Sequence, residues 1–126
     1  MNKVIEIGRA TKDIELMATP SGTTIAPFSI AVRRNFKDAN GNTESDFFEC
    51  IAFGKLAETI SKYIHKGDLF CVIGRLQTRS YTDKNGSNRK VTEIVVEDIE
   101  FLQNKREESV NDSKPEETDP FDGLPF

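Results

Sequence analysis

The run Arg75-Leu76-Gln77-Thr78-Arg79-Ser80-Tyr81 alternates with a period of two, the spacing at which a strand sends successive side chains to opposite faces. One face collects two guanidiniums, an amide and a phenol, and the other collects Leu76, Thr78 and Ser80. Cations and a phenol make a poor core. They suit a nucleic-acid strand, because guanidiniums take phosphates and a flat ring takes a base. Groups of the same types stand elsewhere: Arg33, Arg34 and Phe36 beside one predicted hairpin tip, Lys84, Arg89 and Lys90 around a second. Phe47 and Phe53 share one side of an unbulged strand, while Phe48 points the opposite way, into a core or a subunit contact. Each stacked base contributes roughly 1–3 kcal/mol, so three or four such rings outweigh any single charge. Because every base has a π face, such a surface tolerates any sequence.

Catalysis is disfavoured by what the chain lacks. His65 is the only histidine, no Cys/His cluster has metal-ligand spacing, and no glycine-rich phosphate loop is present. Asp13 and Glu15 alternate, but nothing nearby supplies a nucleophile or further ligands. The expectation is a protein with no catalytic residues, no metal and no cofactor.

The elements that must hold these groups follow from hydrophobic periodicity. Residues 3–7 open a strand that is expected to close at Gly8, and 14–18 continue it after a turn. Thr19-Pro20-Ser21-Gly22 reads as a turn. From Ile25 to Arg33, Phe28, Ile30 and Val32 face one way and Ser29, Ala31 and Arg33 the other. Residues 37–42 form a hairpin tip with Asn40-Gly41, and the chain returns through 46–53. Leu56, Ala57, Ile60, Tyr63 and Ile64 then fall on one face of a short amphipathic helix, which Gly67 is expected to stop. Lys62, His65 and Lys66 would lie near the negative end of its dipole. Residues 69–82 and 89–102 form another strand pair around a polar tip at 83–88. The fold class is therefore mainly β. One helix between the third and fourth strands of a five-stranded antiparallel set suits a small closed barrel of the OB type.

Composition divides the chain. Its 126 residues carry a net charge of −4, but residues 1–106 hold 16 basic and 14 acidic side chains, whereas 107–126 hold one lysine and seven acids. A mildly basic head joined to an acidic tail points to a polyanion partner for the head. The division expected is a binding domain over 1–104 and a flexible linker and docking tail over 105–126. Two prolines and a glycine near the end oppose helix and central strand, so the tail should remain disordered. Carboxylates including Asp119 and Asp122 lead into Leu124-Pro125-Phe126, which suits a shallow partner pocket with a basic group for the terminal carboxylate. Cys50 and Cys71 sit inside apolar runs and read as buried hydrophobes in a reducing compartment. No signal segment or membrane-length apolar run is expected, which points to a cytoplasmic protein.

Several stretches together resemble the bacterial single-stranded DNA-binding protein family, phage versions included. They are Met1 to Ile5 through Gly8-Arg9, Thr19-Pro20-Ser21-Gly22, Phe53-Gly54-Lys55-Leu56-Ala57-Glu58, Lys66-Gly67, Gly74 to Arg79 and Thr92 to Val96, in order over about residues 1–103, with a return at the acidic tail. The resemblance implies an OB barrel that assembles as a homotetramer and wraps single-stranded DNA. By that resemblance Phe36, Phe47, Phe53 and Tyr81 occupy the base-stacking positions, some of which are Trp in other members. Arg33, Arg34, Lys55, Lys62, Arg75, Arg79, Lys84 and Arg89 are candidates for backbone contacts, Lys55 and Arg79 lying within matched motifs. It also implies that the Pro-Phe end recruits replication, recombination and repair proteins. The alternatives are an OB module that binds RNA and an OB protein-interaction adaptor.

Overall fold

The computed structural model describes residues 1–103, so the predicted tail, with Asp119, Asp122, Leu124, Pro125 and Phe126, lies outside the described residues. Strands β1 (Val4–Ala10), β2 (Met17–Ala18), β3 (Thr24–Lys37) and β4 (Thr43–Phe53) precede helix α1 (Gly54–Tyr63). Strands β5 (Leu69–Thr82) and β6 (Asn88–Gln103) follow it. The five long strands run in the order β1-β5-β6-β4-β3, and β3 returns to β1 through Arg9–Ala31 and Ala10–Ile30. This closes the barrel that the alternation implied. The expected all-antiparallel set needs one correction: β4 and β6 pair parallel, at Cys50–Ile94 and Ile51–Val95. The helix reverses the chain after β4, so the last strand reaches β4 in the same direction.

Alternation fills the barrel from β3, β4, β5 and β6. Phe28 and Ile30 of β3, Cys50 and Ala52 of β4, Phe70 and Val72 of β5, and Ile94 and Val96 of β6 form one buried cluster. The Phe28 and Phe70 rings meet tilted, with centroids 5.9 Å apart. Helix α1 adds Ala57 and Ile60, and Val4, Val32, Phe48, Leu56 and Ile99 pack around the edge. Burying side chains of this size contributes about 1.5–3 kcal/mol each, the main force holding the strands in register.

Gly8 does not end β1. It sits within the strand, where a Cβ would lie 2.3 Å from the Ala31 carbonyl oxygen, so only glycine lets β1 cross β3. Gly74 does the same in β5, with the Val95 oxygen 2.2 Å from a built Cβ, beside the bulge between Ile73 and Gly74. Residues 14–18 do not prolong β1 either. Met17 and Ala18 pair with β3 at Ile25 and Thr24.

The helix ends at Tyr63 rather than near Gly67. Ile64 turns extended so that its fully buried side chain enters the core, and a turn over His65–Asp68 follows. The Asp68 carboxylate accepts the His65 N–H at 2.8 Å. Gly67 takes a φ of 89° and donates to the Ala10 carbonyl. Tyr63 was expected on the apolar face but is exposed, with the Lys62 amine 5.3 Å from its ring centre. Lys62 is the only one of the three expected basic groups in the last helical turn.

Candidate nucleic-acid interface

Strands β3–β4 and β5–β6 run past the barrel as two hairpin arms, so their outer faces escape the core. On β4 the inward set is Phe48, Cys50 and Ala52, which leaves Phe47, Glu49, Ile51 and Phe53 facing out. Phe47 is 67% exposed and Phe53 43%, and neither belongs to the buried cluster. They lie roughly 20 Å apart along the strand, so they cannot hold the same base. Lys55 follows Phe53 on the exposed side of the first helical turn.

The second arm faces the same ground. Arg75, Gln77, Arg79 and Tyr81 align across β6 with Val95, Glu93, Val91 and Arg89. A groove of about 480 Å³ is lined by Pro27, Glu49, Cys50 and Ile51 on one side and Arg79, Tyr81, Val91 and Glu93 on the other. Its lining mixes apolar Pro27, Ile51 and Val91 with polar Glu49, Arg79, Tyr81 and a buried Glu93. Tyr81, 47% exposed, and Arg79 therefore come together with the stretch of β4 between Phe47 and Phe53.

Phe36 is elsewhere. It is 67% exposed near the end of β3, where the register slips between Arg33 and Lys37, and lines a separate hollow with Glu6, Val32, Arg33 and Arg34. Burial and the nearby Asp46 charge raise the Glu6 carboxyl above its ordinary value. Lys62 stands on the helix, and Lys84 lies in the turn over Asp83–Ser87 that Asp83 closes by accepting two backbone N–H groups. The Asn2 side chain pairs with both backbone groups of Leu76, continuing the β1–β5 ladder toward the arm.

The eight cations predicted to meet phosphates do not form one class. Arg34 is clamped through all three guanidinium nitrogens: Nε and Nη2 donate to Asp46 at 3.0 and 2.7 Å, and Nη1 to Glu44 at 2.8 Å. That hydrogen bonding holds the Asp46 carboxyl below the usual range. Arg89 donates through Nε to Asp83 at 2.9 Å, which likewise lowers that carboxyl. Arg79 donates through Nε to Glu93 at 2.6 Å. Arg33, Lys55, Lys62, Arg75 and Lys84 have no carboxylate partner among the described residues.

Glu93 and the apolar lining residues Pro27, Ile51 and Val91 were not among the residues expected at the site. The register brings Glu93 in, since Val91, Glu93 and Val95 alternate opposite Arg79, Gln77 and Arg75. Both cysteines are free and buried. Burial first, then Glu49 and Glu6, push the Cys50 thiol up to about 12, so it packs in the barrel core as an inert apolar group. Among the described residues no cluster of His, Cys, Asp or Glu is arranged to hold a metal ion. No helix among them is long and apolar enough to cross a membrane.

Comparison with known families decides the kinship. The family model described as the single-strand binding protein family matches residues 1–102. The chain belongs to that family. Among curated relatives it is similar to single-stranded DNA-binding protein 3 of Clostridium acetobutylicum, 52% identical over 82% of this chain and 72% of the relative. Single-stranded DNA-binding protein 1 of Streptococcus pyogenes serotype M18 is 42% identical over 100% of this chain and 99% of its own length. Single-stranded DNA-binding protein 3 of Listeria innocua is 45% identical over 84% of this chain, and the match spans 66% of that relative. The barrel motifs that carried the resemblance, from Met1 to Val96, lie inside the matched residues.

Proposed function

We propose that the chain binds single-stranded DNA with little sequence preference, shields it, and carries out no catalysis. One observation carries this reading: Phe47, Phe53 and Tyr81 are exposed rings, and Tyr81 and Arg79 line one groove with Glu49 and Ile51, which lie on β4 between Phe47 and Phe53. Exposed rings spaced along a strand surface beside cations take successive bases and their phosphates. The names of the relatives, each a single-stranded DNA-binding protein, support it. Phe36, Phe47, Phe53 and Tyr81 stack bases, and Arg33, Lys55, Lys62, Arg75, Arg79, Lys84 and Arg89 form the basic surround, while Arg34 is already neutralised by Glu44 and Asp46. Cations neutralise phosphates and release counterions, while duplex is disfavoured because its bases are already stacked and enclosed.

The proposal extends to organisation. Residues 1–104 bind the strand, and 105–126 link them to the docking end Leu124-Pro125-Phe126 with Asp119 and Asp122, which recruits replication, recombination and repair proteins in the cytoplasm. The Streptococcus match, which runs through the whole chain, supports a tail shared between relatives. Four copies assemble, and linked barrels hold a strand far more tightly than one. Two features of β1 support assembly: residues Val4–Gly8 pair with β5 alone, leaving an open strand edge, and Ile5 is exposed beside it. Replacing Phe36, Phe47 and Tyr81 together by alanine should abolish binding of a labelled oligo-dT, and unchanged affinity would refute the surface. Deleting Leu124-Pro125-Phe126 should spare DNA affinity and abolish pull-down of recombination or helicase partners, and surviving pull-down would refute the docking end.

A further inference from the structure

The groove contains a group that stacking and phosphate neutralisation leave unused. Glu93 is 5% exposed, a carboxylate set in the wall of a site read as binding a polyanion. Such a group loses hydration and repels phosphates, so its presence there needs a compensating role. Both of its oxygens are engaged by the opposite strand. Oε1 accepts the Arg79 Nε–H at 2.6 Å, and Oε2 lies 3.5 Å from the Gln77 amide nitrogen.

The way Arg79 is held matters more than the fact of the pair. A grip through Nε leaves the terminal edge of the guanidinium, with its four N–H donors, still to be used. The Arg79 side chain is 57% exposed and lines the groove with Tyr81. Arg34 provides the contrast: Glu44 and Asp46 occupy its Nε, Nη1 and Nη2 alike, so its fork is spent on the hairpin. A long arginine on an extended arm is otherwise costly to immobilise, and a buried carboxylate that fixes it beforehand removes that cost from binding.

We propose that Glu93 is a positioning residue. It locks Arg79 so that the terminal guanidinium edge stands beside Tyr81 and donates to an oxygen of the bound strand, either of a phosphate or of a keto base. This rests on the chain being a single-strand binder. A pair that only stabilises the β5–β6 arm would affect melting and leave no coupling in DNA affinity.

The test is a double-mutant cycle on affinity for labelled oligo-dT and oligo-dA at several salt concentrations, with thermal unfolding of each variant. Arg79→Ala should weaken oligo-dT binding roughly tenfold, the usual effect of losing a hydrogen bond to a charged group. Glu93→Ala should weaken it comparably, and the double variant should bind no worse than Arg79→Ala alone. Glu93→Gln keeps an oxygen for the Nε–H and the side-chain volume, so it should fold and bind between wild type and Glu93→Ala. A phosphate contact shows as a salt slope reduced by about 0.7 in Arg79→Ala. A keto contact shows as a narrower preference for dT over dA at unchanged slope. Additive losses in the double variant, or Glu93→Ala binding as well as or better than wild type, overturn the inference. Absence of strand binding by the wild-type protein overturns the reading beneath it, and the two failures are separable.

Discussion

Phe47 and Phe48 are adjacent, chemically identical and opposite in duty, so replacing each by alanine separates binding from folding. Phe47 stands on the outer face of β4, 67% exposed, and takes no part in the buried cluster. Its truncation removes little buried area and should change stability by no more than about 0.5 kcal/mol, as for an ordinary surface substitution. A base that loses its ring loses roughly 1–3 kcal/mol, which is about 5- to 150-fold in Kd. Phe48 is half-buried against the core beside Ile30, its partner across the β3–β4 ladder. Full burial of a phenylalanine is worth about 3–5 kcal/mol on truncation to alanine, so a half-buried one should cost about 2 kcal/mol. For a barrel of this size that lowers Tm by roughly 8–16 °C. Anisotropy of a fluorescent oligo-dT, read well below Tm, measures the first quantity, and thermal unfolding measures the second. Phe47→Ala should lose affinity and keep Tm, and Phe48→Ala should lose Tm while its folded molecules keep affinity. Equal affinity for Phe47→Ala and wild type, or equal Tm losses for the two variants, would refute the assignment of faces.

Other expectations follow from particular groups. Gly74→Ala places a Cβ 2.2 Å from the Val95 oxygen, so β5 and β6 must separate by about 1 Å. It should destabilise by at least about 1–3 kcal/mol, and an unchanged Tm would show that the arm gives way freely. Burial and Asp46 raise the Glu6 carboxyl above its ordinary value of 4.5, so folding favours its neutral form. Its contribution is therefore intact in acid and is lost as pH rises through the raised value. Glu6→Gln should raise Tm at neutral pH and leave it unchanged well below 4.5, and a benefit independent of pH would contradict the cause assigned. Lys84→Ala should reduce the salt slope of strand binding by about 0.7, whereas Arg34→Ala, already neutralised by Glu44 and Asp46, should leave it unchanged. Equal slopes for these two variants would show that the clamp opens on binding.

The fold was legible wherever burial enforces a period. Phe28, Ile30 and Val32, and the run from Arg75 to Tyr81, declare their faces by alternation, and β5 has the predicted bounds of residues 69–82. Boundaries failed where one long-range contact overrides a local signal. Gly8 and Gly67 look like stops, but one is a crossing point against Ala31 and the other lies in a turn pinned by Ala10 and Asp68. Nothing local announces either partner. Parallel pairing of β4 with β6 was hidden for the same reason, because one sequence shows strands and not their order. For the site, exposure of the four rings was readable, since large aromatics at polar-face positions have no core to enter. The fate of the arginines was not. Arg34, Arg79 and Arg89 look as open as Arg33 and Arg75 until the folded hairpins bring Asp46, Glu93 and Asp83 against them.

The most direct measurement is anisotropy of a labelled oligo-dT against a matched duplex, with the wild-type chain, across a salt series. The single strand should be strongly preferred, and log K should fall linearly with log salt, by about 0.7 for each phosphate neutralised. Equal affinity for strand and duplex, or no binding even at low salt, would contradict this and leave the exposed rings of the two arms to a protein partner.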